Sequence, residues 1–159
     1  TNGNKDQIAA ELLALIHPEG IAVLIAACTN RAVPNRFHCL VVLAKAAPPN
    51  PEVTALFLRL ADDPDPDVRE HALFPMSFSK IEAAVIVPIF VRLLADPVTK
   101  VRTEALHALY RLKGDVRSAE SAVTPLTADP DPKISGLAKG LLQKIKSQIA
   151  TPSPGAPTP

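Results

Sequence analysis

The chain has 159 residues, of which 47% are apolar, and its formal net charge is +1 at neutral pH. That length suffices for one domain with a buried core, and the apolar content argues against an unfolded chain. The near-neutral charge provides no general attraction to nucleic acid or to an anionic membrane. No apolar run is long enough to cross a bilayer.

The predicted elements, in chain order, are all helices. An extra helix at about residues 5–16 precedes four pairs of helical patterns, and no strand pattern competes. The first helices of the pairs are predicted at about 18–29, 51–62, 82–94 and 116–127. The second helices are predicted at about 34–46, 66–77, 99–113 and 132–148. Apolar residues at helical spacing mark each segment; in the third pair they are Val101, Ala105, Leu106, Leu109 and Leu112.

The pairs repeat with a period of 33 residues. One position of the period holds Asn30, Asp63, Asp96 and Asp129, and each of the three aspartates precedes a proline. Another position holds Arg36, Arg69 and Arg102, with Ser135 in the fourth period. Several positions in phase over four periods predict a repeat architecture, in which each unit buries its apolar face against its neighbours.

An Asp-Pro-rich stretch separates the two helices of a pair. Asp65 and Asp131 are positioned to cap the second helix by accepting its free N–H groups. Pro66 and Pro132 fit the first helical position, where no N–H is needed. Pro75 falls inside a second helix, where it predicts a kink or an early stop.

These residues resemble HEAT repeats, which also show an Asp-Pro turn followed six residues later by Arg and then by Ala-Leu. The nearest likeness is to the short HEAT-like units of bacterial proteins, as also seen in phycobilin-lyase-like HEAT proteins. The resemblance implies an all-α, right-handed α-solenoid over residues 5–148, with repeats at about 18–50, 51–81, 82–114 and 115–148. It also implies that the repeated Asp and Arg side chains form a structural ladder between neighbouring repeats. Arg69 and Arg102 are therefore expected to hold aspartates of a neighbouring repeat.

The remaining features concern the context of the domain. Cys28 and Cys39 are too few for a disulfide framework, so we expect buried free thiols and a cytoplasmic location. A single disulfide across one helix hairpin is the alternative. Residues 149–159 are rich in proline and predict a disordered linker or tail. Together with the missing initial Met, this tail predicts a monomeric domain within a longer, multidomain protein.

Motifs that would indicate catalysis are missing. The sequence has no glycine-rich phosphate loop, no nucleophile elbow and no paired histidines at metal-binding spacing. His38 and His71 lie one period apart, but no third ligand shares a defined position with both. We therefore expect no enzyme, no cofactor and no metal. The alternative is a nucleic-acid-binding or small-molecule-binding domain of a HEAT-like enzyme, by analogy of fold with DNA glycosylases and phycobilin lyases.

The surface of the second helices is the best candidate site. In HEAT-like proteins these helices line the concave side, and positions 68, 72, 73 and 76 are predicted to face the core. Positions 70, 71, 74, 77 and 78 and their equivalents lie outside that stripe, and they include four of the six Phe and Tyr residues. The residues predicted to bind a partner are Phe37, Val41, His71, Phe74, Phe78, His107, Tyr110 and Arg111. An off-core aromatic patch predicts a protein-interaction or scaffold module that binds a partner peptide or helix, unless these rings pack in the core.

Overall fold

The structure, a computed structural model, describes residues 19–46, 51–78 and 81–150. The chain divides into two compact units, one covering residues 1–80 and the other covering residues 81–159. All regular structure in the described ranges is helical, so the prediction of an all-α class is confirmed. The predicted leading helix at 5–16 and the tail from Thr151 onward lie outside the described residues.

Four helices form the described part of the first unit. They are α1 (Glu19–Thr29), α2 (Phe37–Ala46), α3 (Pro51–Leu60) and α4 (Pro66–Ser77). Helix α1 packs against α2, α3 packs against α4, and the two second helices α2 and α4 pack against each other. The four positions predicted to face the core on α4 are all buried: Val68, Ala72, Leu73 and Met76. Pro75 lies inside α4, which ends two residues later.

Helix α2 begins at Phe37, three residues later than predicted. Asn35 has a φ of 52°, in the left-handed region that breaks a right-handed helix. Asn is among the few residues that tolerate this conformation. The residues between α1 and α2 therefore form an irregular turn, and Arg36 stands just before the helix.

The second unit contains α5 (Ala83–Leu93), α6 (Thr99–Arg111), the short α7 (Glu120–Val123) and α8 (Pro132–Ala150). Helix α5 packs against α6, and α6 packs against α8. The predicted continuous helix at 116–127 is wrong, because α7 is flanked by two 3₁₀ turns, Arg117–Ala119 and Pro125–Ala128. Pro125 has no N–H to donate, so the helical hydrogen bond to the carbonyl four residues earlier cannot form. Helix α8 extends two residues beyond its predicted end, into the stretch predicted as linker.

The repeated Asn/Asp position has the same local role in all four periods. Its side-chain oxygen accepts a hydrogen bond from the backbone N–H two residues later, at 2.8–3.0 Å. The four residues are Asn30, Asp63, Asp96 and Asp129. This side-chain turn fixes the chain between the helices of each pair. Asp65 and Asp131 then cap α4 and α8 as predicted, because their carboxylates accept from N–H groups of the first turn.

The repeated arginines do not all have the same partners. Arg69 and Arg102 are the fourth residues of α4 and α6, and each donates from Nη1 to the carbonyls five and six residues earlier. Arg36 instead precedes its helix. It donates to the Asp63 carboxylate of the next repeat, with 2.8 Å between Nη1 and Oδ2, and to the Cys28 carbonyl at the end of α1.

The predicted ladder is thus confirmed for Arg36 and Asp63, which form a buried ion pair. For Arg102 the prediction is wrong: in the part of the chain that the structure describes, Arg102 contacts no carboxylate. Because α6 begins three residues before Arg102, its guanidinium reaches back to the turn of its own repeat.

Candidate functional site

The eight residues predicted to bind a partner are divided between the two units. Five lie on α2 and at the exposed side and end of α4 in the first unit, namely Phe37, Val41, His71, Phe74 and Phe78. The other three, His107, Tyr110 and Arg111, lie on α6 in the second unit. All eight are therefore placed on or next to second helices, as predicted.

Phe74 and Phe78, here called the aromatic pair, are the most exposed rings of the first unit. Phe74 is 51% exposed and Phe78 is 60% exposed. Their ring centroids are 5.1 Å apart at a tilted angle, which is a favourable aromatic geometry. Since the neighbouring Leu73 is fully buried, the helical phase predicted for α4 is correct, and both rings lie outside the core.

Phe37 is half-buried, so it is less accessible than predicted. Its ring contacts His38, with centroids 4.1 Å apart, and His71, with centroids 4.6 Å apart. His71 Nδ1 lies 2.8 Å from the Asp67 carbonyl. Since a carbonyl oxygen only accepts, Nδ1 carries the hydrogen, and Nε2 is left for another partner. Val41 is also half-buried, one turn further along α2.

A metal site at the two stacked histidines finds no support. Within residues 19–46, 51–78 and 81–150, no group of three or more His, Cys, Asp or Glu side chains could hold a metal ion. His38 Nδ1 is buried and has no hydrogen-bond partner among these residues. Cys28 and Cys39 form no disulfide; the hydrogen bond that the Cys28 thiol makes to Cys39, together with burial, raises the pKa of Cys28.

In the second unit, two of the predicted residues are already held by Glu104. The Glu104 carboxylate pairs with the Arg111 guanidinium two turns further along α6. Its second oxygen lies 3.4 Å from His107 Nδ1. All three side chains are partly buried. A partner carboxylate would therefore have to displace Glu104 to reach Arg111.

The third residue, Tyr110, is exposed and lies beside Lys144 of α8. The Lys144 ammonium is 5.8 Å from the centre of the Tyr110 ring. Its Nζ also donates to the carbonyls of Leu109, Tyr110 and Leu112, at 3.1, 2.7 and 2.6 Å. These carbonyls end α6 and have no acceptor role within the helix, so a cation there completes the helix terminus. Burial lowers the pKa of Lys144.

The sequence comparisons identify the family. A model of the HEAT repeats matches residues 53–143, which is more than half of the chain. The chain belongs to the HEAT repeat family. Comparison with curated proteins gave no match. HEAT repeats form helical solenoids, so the predicted family and fold class are both confirmed.

The HEAT family match agrees with the repeated Asp-Pro turns. The polar contacts of Glu104 and Lys144, however, were not predicted from the sequence. Glu104 was visible at helical spacing from both His107 and Arg111, and this signal was missed. Lys144 was not predictable, because its contact with α6 depends on tertiary packing 32–35 residues away in sequence. Two positions predicted to lie off the core, Ser77 and Thr103, are buried. Their hydroxyls donate to carbonyls three and four residues earlier, which removes the cost of burying them.

The structure also bears on membrane insertion. None of the helices in the three described ranges has the length and hydropathy that spanning a bilayer requires.

Proposed function

We propose that this HEAT chain is a non-catalytic protein-interaction module that binds a peptide or helix of a partner protein. The proposed contact residues lie on the off-core faces of the second helices of each unit. In the first unit they are Phe37, Val41, His71, Phe74 and Phe78, and in the second unit they are His107, Tyr110 and Arg111. Proteins with HEAT repeats generally mediate protein–protein interaction, which supports the general class of this function.

The aromatic pair is the observation that carries the proposal. Two adjacent rings, each at least half exposed, retain apolar area in water that a partner could cover, at roughly 25 cal/mol per Å². Aromatic residues are also the residue types that most often dominate binding energy at interfaces. Neighbouring Phe37 and His71 extend this apolar area onto α2.

The eight residues differ in how many of their existing contacts a partner would have to break. Phe74 and Phe78 rank first, because at least half of each side chain is exposed. Tyr110 offers an exposed ring that is held in place beside Lys144. Arg111 and His107 contribute least, because a new contact with either would compete with Glu104. The two free thiols are compatible with a cytoplasmic location, which we also propose.

A test begins with selection of peptides from a displayed random library on the full chain. The Kd of selected peptides is then measured for wild type and for the Phe74→Ser/Phe78→Ser double variant. We expect the double variant to bind about thirtyfold more weakly, the effect of losing one interface hot spot. Val23→Ser is the matched control, since Val23 is exposed on a first helix of the same unit.

The proposal would be contradicted if selected peptides bound the double variant as tightly as they bind wild type. Equal losses for the double variant and for Val23→Ser would also contradict it, because binding would then depend on general surface apolarity. Circular dichroism of each variant shows whether the helices are intact.

A further inference from the structure

Helix α8 has a second amphipathic face, about a quarter turn around the helix from its core residues. The buried side consists of Ile134, Ala138, Leu141 and Ile145. A different stripe, here called the α8 stripe, consists of Lys139, Leu142, Lys146 and Ile149. These residues are spaced at intervals of three and four, so they follow one line along the helix. Ile149 is 50% exposed, Leu142 is half-buried, and both lysines are exposed.

The charge of this stripe is not balanced by its surroundings. Helix α8 contains four lysines and no Asp or Glu. Lys144 is committed to the end of α6, as described above. Lys139 and Lys146 have no hydrogen bond and no ion pair within the described ranges. Two unpaired ammonium groups therefore flank a partly exposed leucine.

A shallow depression, open to solvent, lies along part of the stripe. It has a volume of about 410 Å³ and is lined by Thr127, Lys139, Leu142, Gln143 and Lys146. At a rise of about 1.5 Å per residue, the two lysines are separated by roughly 10 Å and the whole stripe spans roughly 15 Å. A helix laid along the stripe would match these distances with side chains one and two turns apart.

We propose that the α8 stripe docks an acidic amphipathic helix of a partner protein. Leucine or isoleucine side chains of that helix would cover Leu142 and Ile149, and its carboxylates, two turns apart, would pair with Lys139 and Lys146. This surface lies on α8, whereas the aromatic pair lies on α4, so the inference does not rest on the function proposed above.

Alternation of charge and apolar area favours such a helix over nucleic acid. A phosphate backbone is contacted by rows of cations, and binding grows with each phosphate neutralised. Here only two cations face outward along the line, and an apolar residue follows each of them. The stripe also has no aromatic ring on which a base could stack. An amphipathic helix in a groove uses apolar anchors at intervals of three, four and seven residues, as found here.

The experiment measures binding of three synthetic helices to the full chain by fluorescence anisotropy. Each helix has about 20 residues, because shorter isolated helices are marginal in water. All three carry the same leucine pattern, with Glu, Gln or Lys on the flanking positions. We expect the Glu helix to bind more tightly than the Gln helix, and the Lys helix to bind weakest.

A charge-swap variant makes the test specific to the stripe. Lys139→Glu/Lys146→Glu replaces two attractions with two repulsions, so we expect about a tenfold rise in Kd for the Glu helix. The same variant should gain affinity for the Lys helix. The matched control is Arg31→Glu/Arg59→Glu, which changes the net charge equally at exposed positions of the first unit. Ile149→Ser should weaken binding of all three helices.

Several results would overturn the inference. Equal binding of the Glu and Gln helices would remove the role of the lysines. An equal rise in Kd for the control variant would show that binding depends on the net charge of the chain and not on the stripe. Tighter binding of a single-stranded oligonucleotide than of the Glu helix, lost in the charge-swap variant, would assign the stripe to nucleic acid instead. No binding by any of the three helices would also overturn it.

Discussion

The two units of the chain hold their second helices with cations, but they do so in different ways. In the first unit, the Arg36 guanidinium is buried between the Asp63 carboxylate and the Cys28 carbonyl. In the second unit, the Lys144 ammonium is half-buried against three carbonyls at the end of α6. The first arrangement is a buried ion pair, and removing one partner of such a pair strongly destabilises the fold. The second is a cation that donates hydrogen bonds to the last carbonyls of a helix.

The difference extends to the candidate surface. In the first unit, the two rings of the aromatic pair contact each other. In the second unit, Tyr110 lies beside Lys144, and Arg111 is paired with Glu104. The same repeat period therefore produces an apolar surface in one unit and a polar, internally paired surface in the other. The shared period determines the position of a side chain on its helix. Contacts with neighbouring residues determine whether that side chain is exposed to a partner.

Replacing Asp63 should have the largest effect on stability. Asp63→Ala leaves the Arg36 guanidinium buried without its counter-ion, so we expect the free energy of unfolding to fall by about 3 kcal/mol or more. Asp129→Ala is the matched control at the same position of the period. Asp129 accepts the N–H of Asp131 but has no arginine partner among the described residues. Its loss should cost only about 1 kcal/mol.

Urea unfolding of the two variants measures this difference. Similar losses for Asp63→Ala and Asp129→Ala would mean that the ion pair adds little beyond the turn. The contrast drawn between the two units would then be wrong in energetic terms.

Lowering the pH should test the same ion pair, because protonation removes the charge of the Asp63 carboxyl without replacing the side chain. Burial alone would raise the pKa of the Asp63 carboxyl, but the hydrogen bonds from Arg36 and from the Asp65 N–H outweigh burial and lower it. A carboxyl with a lowered pKa in the folded state stabilises the fold at higher pH. That contribution is lost as the pH falls from about 4 through the folded-state pKa. Wild type should therefore lose more stability between about pH 5 and pH 3 than Asp63→Asn does.

The other carboxylates titrate in both proteins, so the comparison with Asp63→Asn isolates Asp63. Parallel pH profiles of the two proteins would contradict the assignment.

The sequence predicted the local structure well, because the relevant signals are local. Helical spacing and the 33-residue period predicted the helix pairs, and Asp65 and Asp131 were correctly predicted as caps. The left-handed Asn35 and the broken helix around Pro125 were missed, because helical propensity nearby outweighed these single residues in the prediction. The turn at Asn35 keeps Arg36 outside α2, and Arg36 bonds to Asp63 of the next repeat, so one turn alters a contact between repeats.

The candidate site was less predictable, because exposure depends on packing. Residues at equivalent positions of the repeats were given one role, yet Ser77 is buried and Tyr110, one period later, is 55% exposed. Contacts such as Lys144 with the end of α6 join residues more than 30 positions apart. No local pattern in the chain distinguishes Lys144 from the other three lysines of α8.

Removing the Lys144 ammonium should have an intermediate effect. Lys144→Met keeps the length and most of the packing of the side chain, but it leaves three carbonyls without their cation. Charged hydrogen bonds of this kind contribute a few kcal/mol, and the desolvation of Lys144 offsets part of that gain. We expect a loss of about 1–2 kcal/mol, smaller than for Asp63→Ala. Lys133→Met, on the exposed start of the same helix, should stay within about 0.5 kcal/mol of wild type.

Thermal and urea unfolding measure both lysine variants. A loss for Lys144→Met as small as that for Lys133→Met would show that the carbonyl contacts are not anchoring α6. Near-ultraviolet circular dichroism of Tyr110 offers a second readout, since the chain has only one tyrosine and no tryptophan.

Phe74→Ser should have the smallest effect of the four changes, and it tests whether the first unit presents an apolar surface. Half of the ring is already in water, so the variant loses the contact with Phe78 and part of the buried area. We expect a cost of about 1 kcal/mol, the size of an aromatic pair contact. Leu73→Ala, at the adjacent and fully buried position, should cost about 3 kcal/mol because it leaves a cavity. If Phe74→Ser cost as much as Leu73→Ala, the ring would be part of the core, and the first unit would resemble the second in having little free apolar surface for a partner.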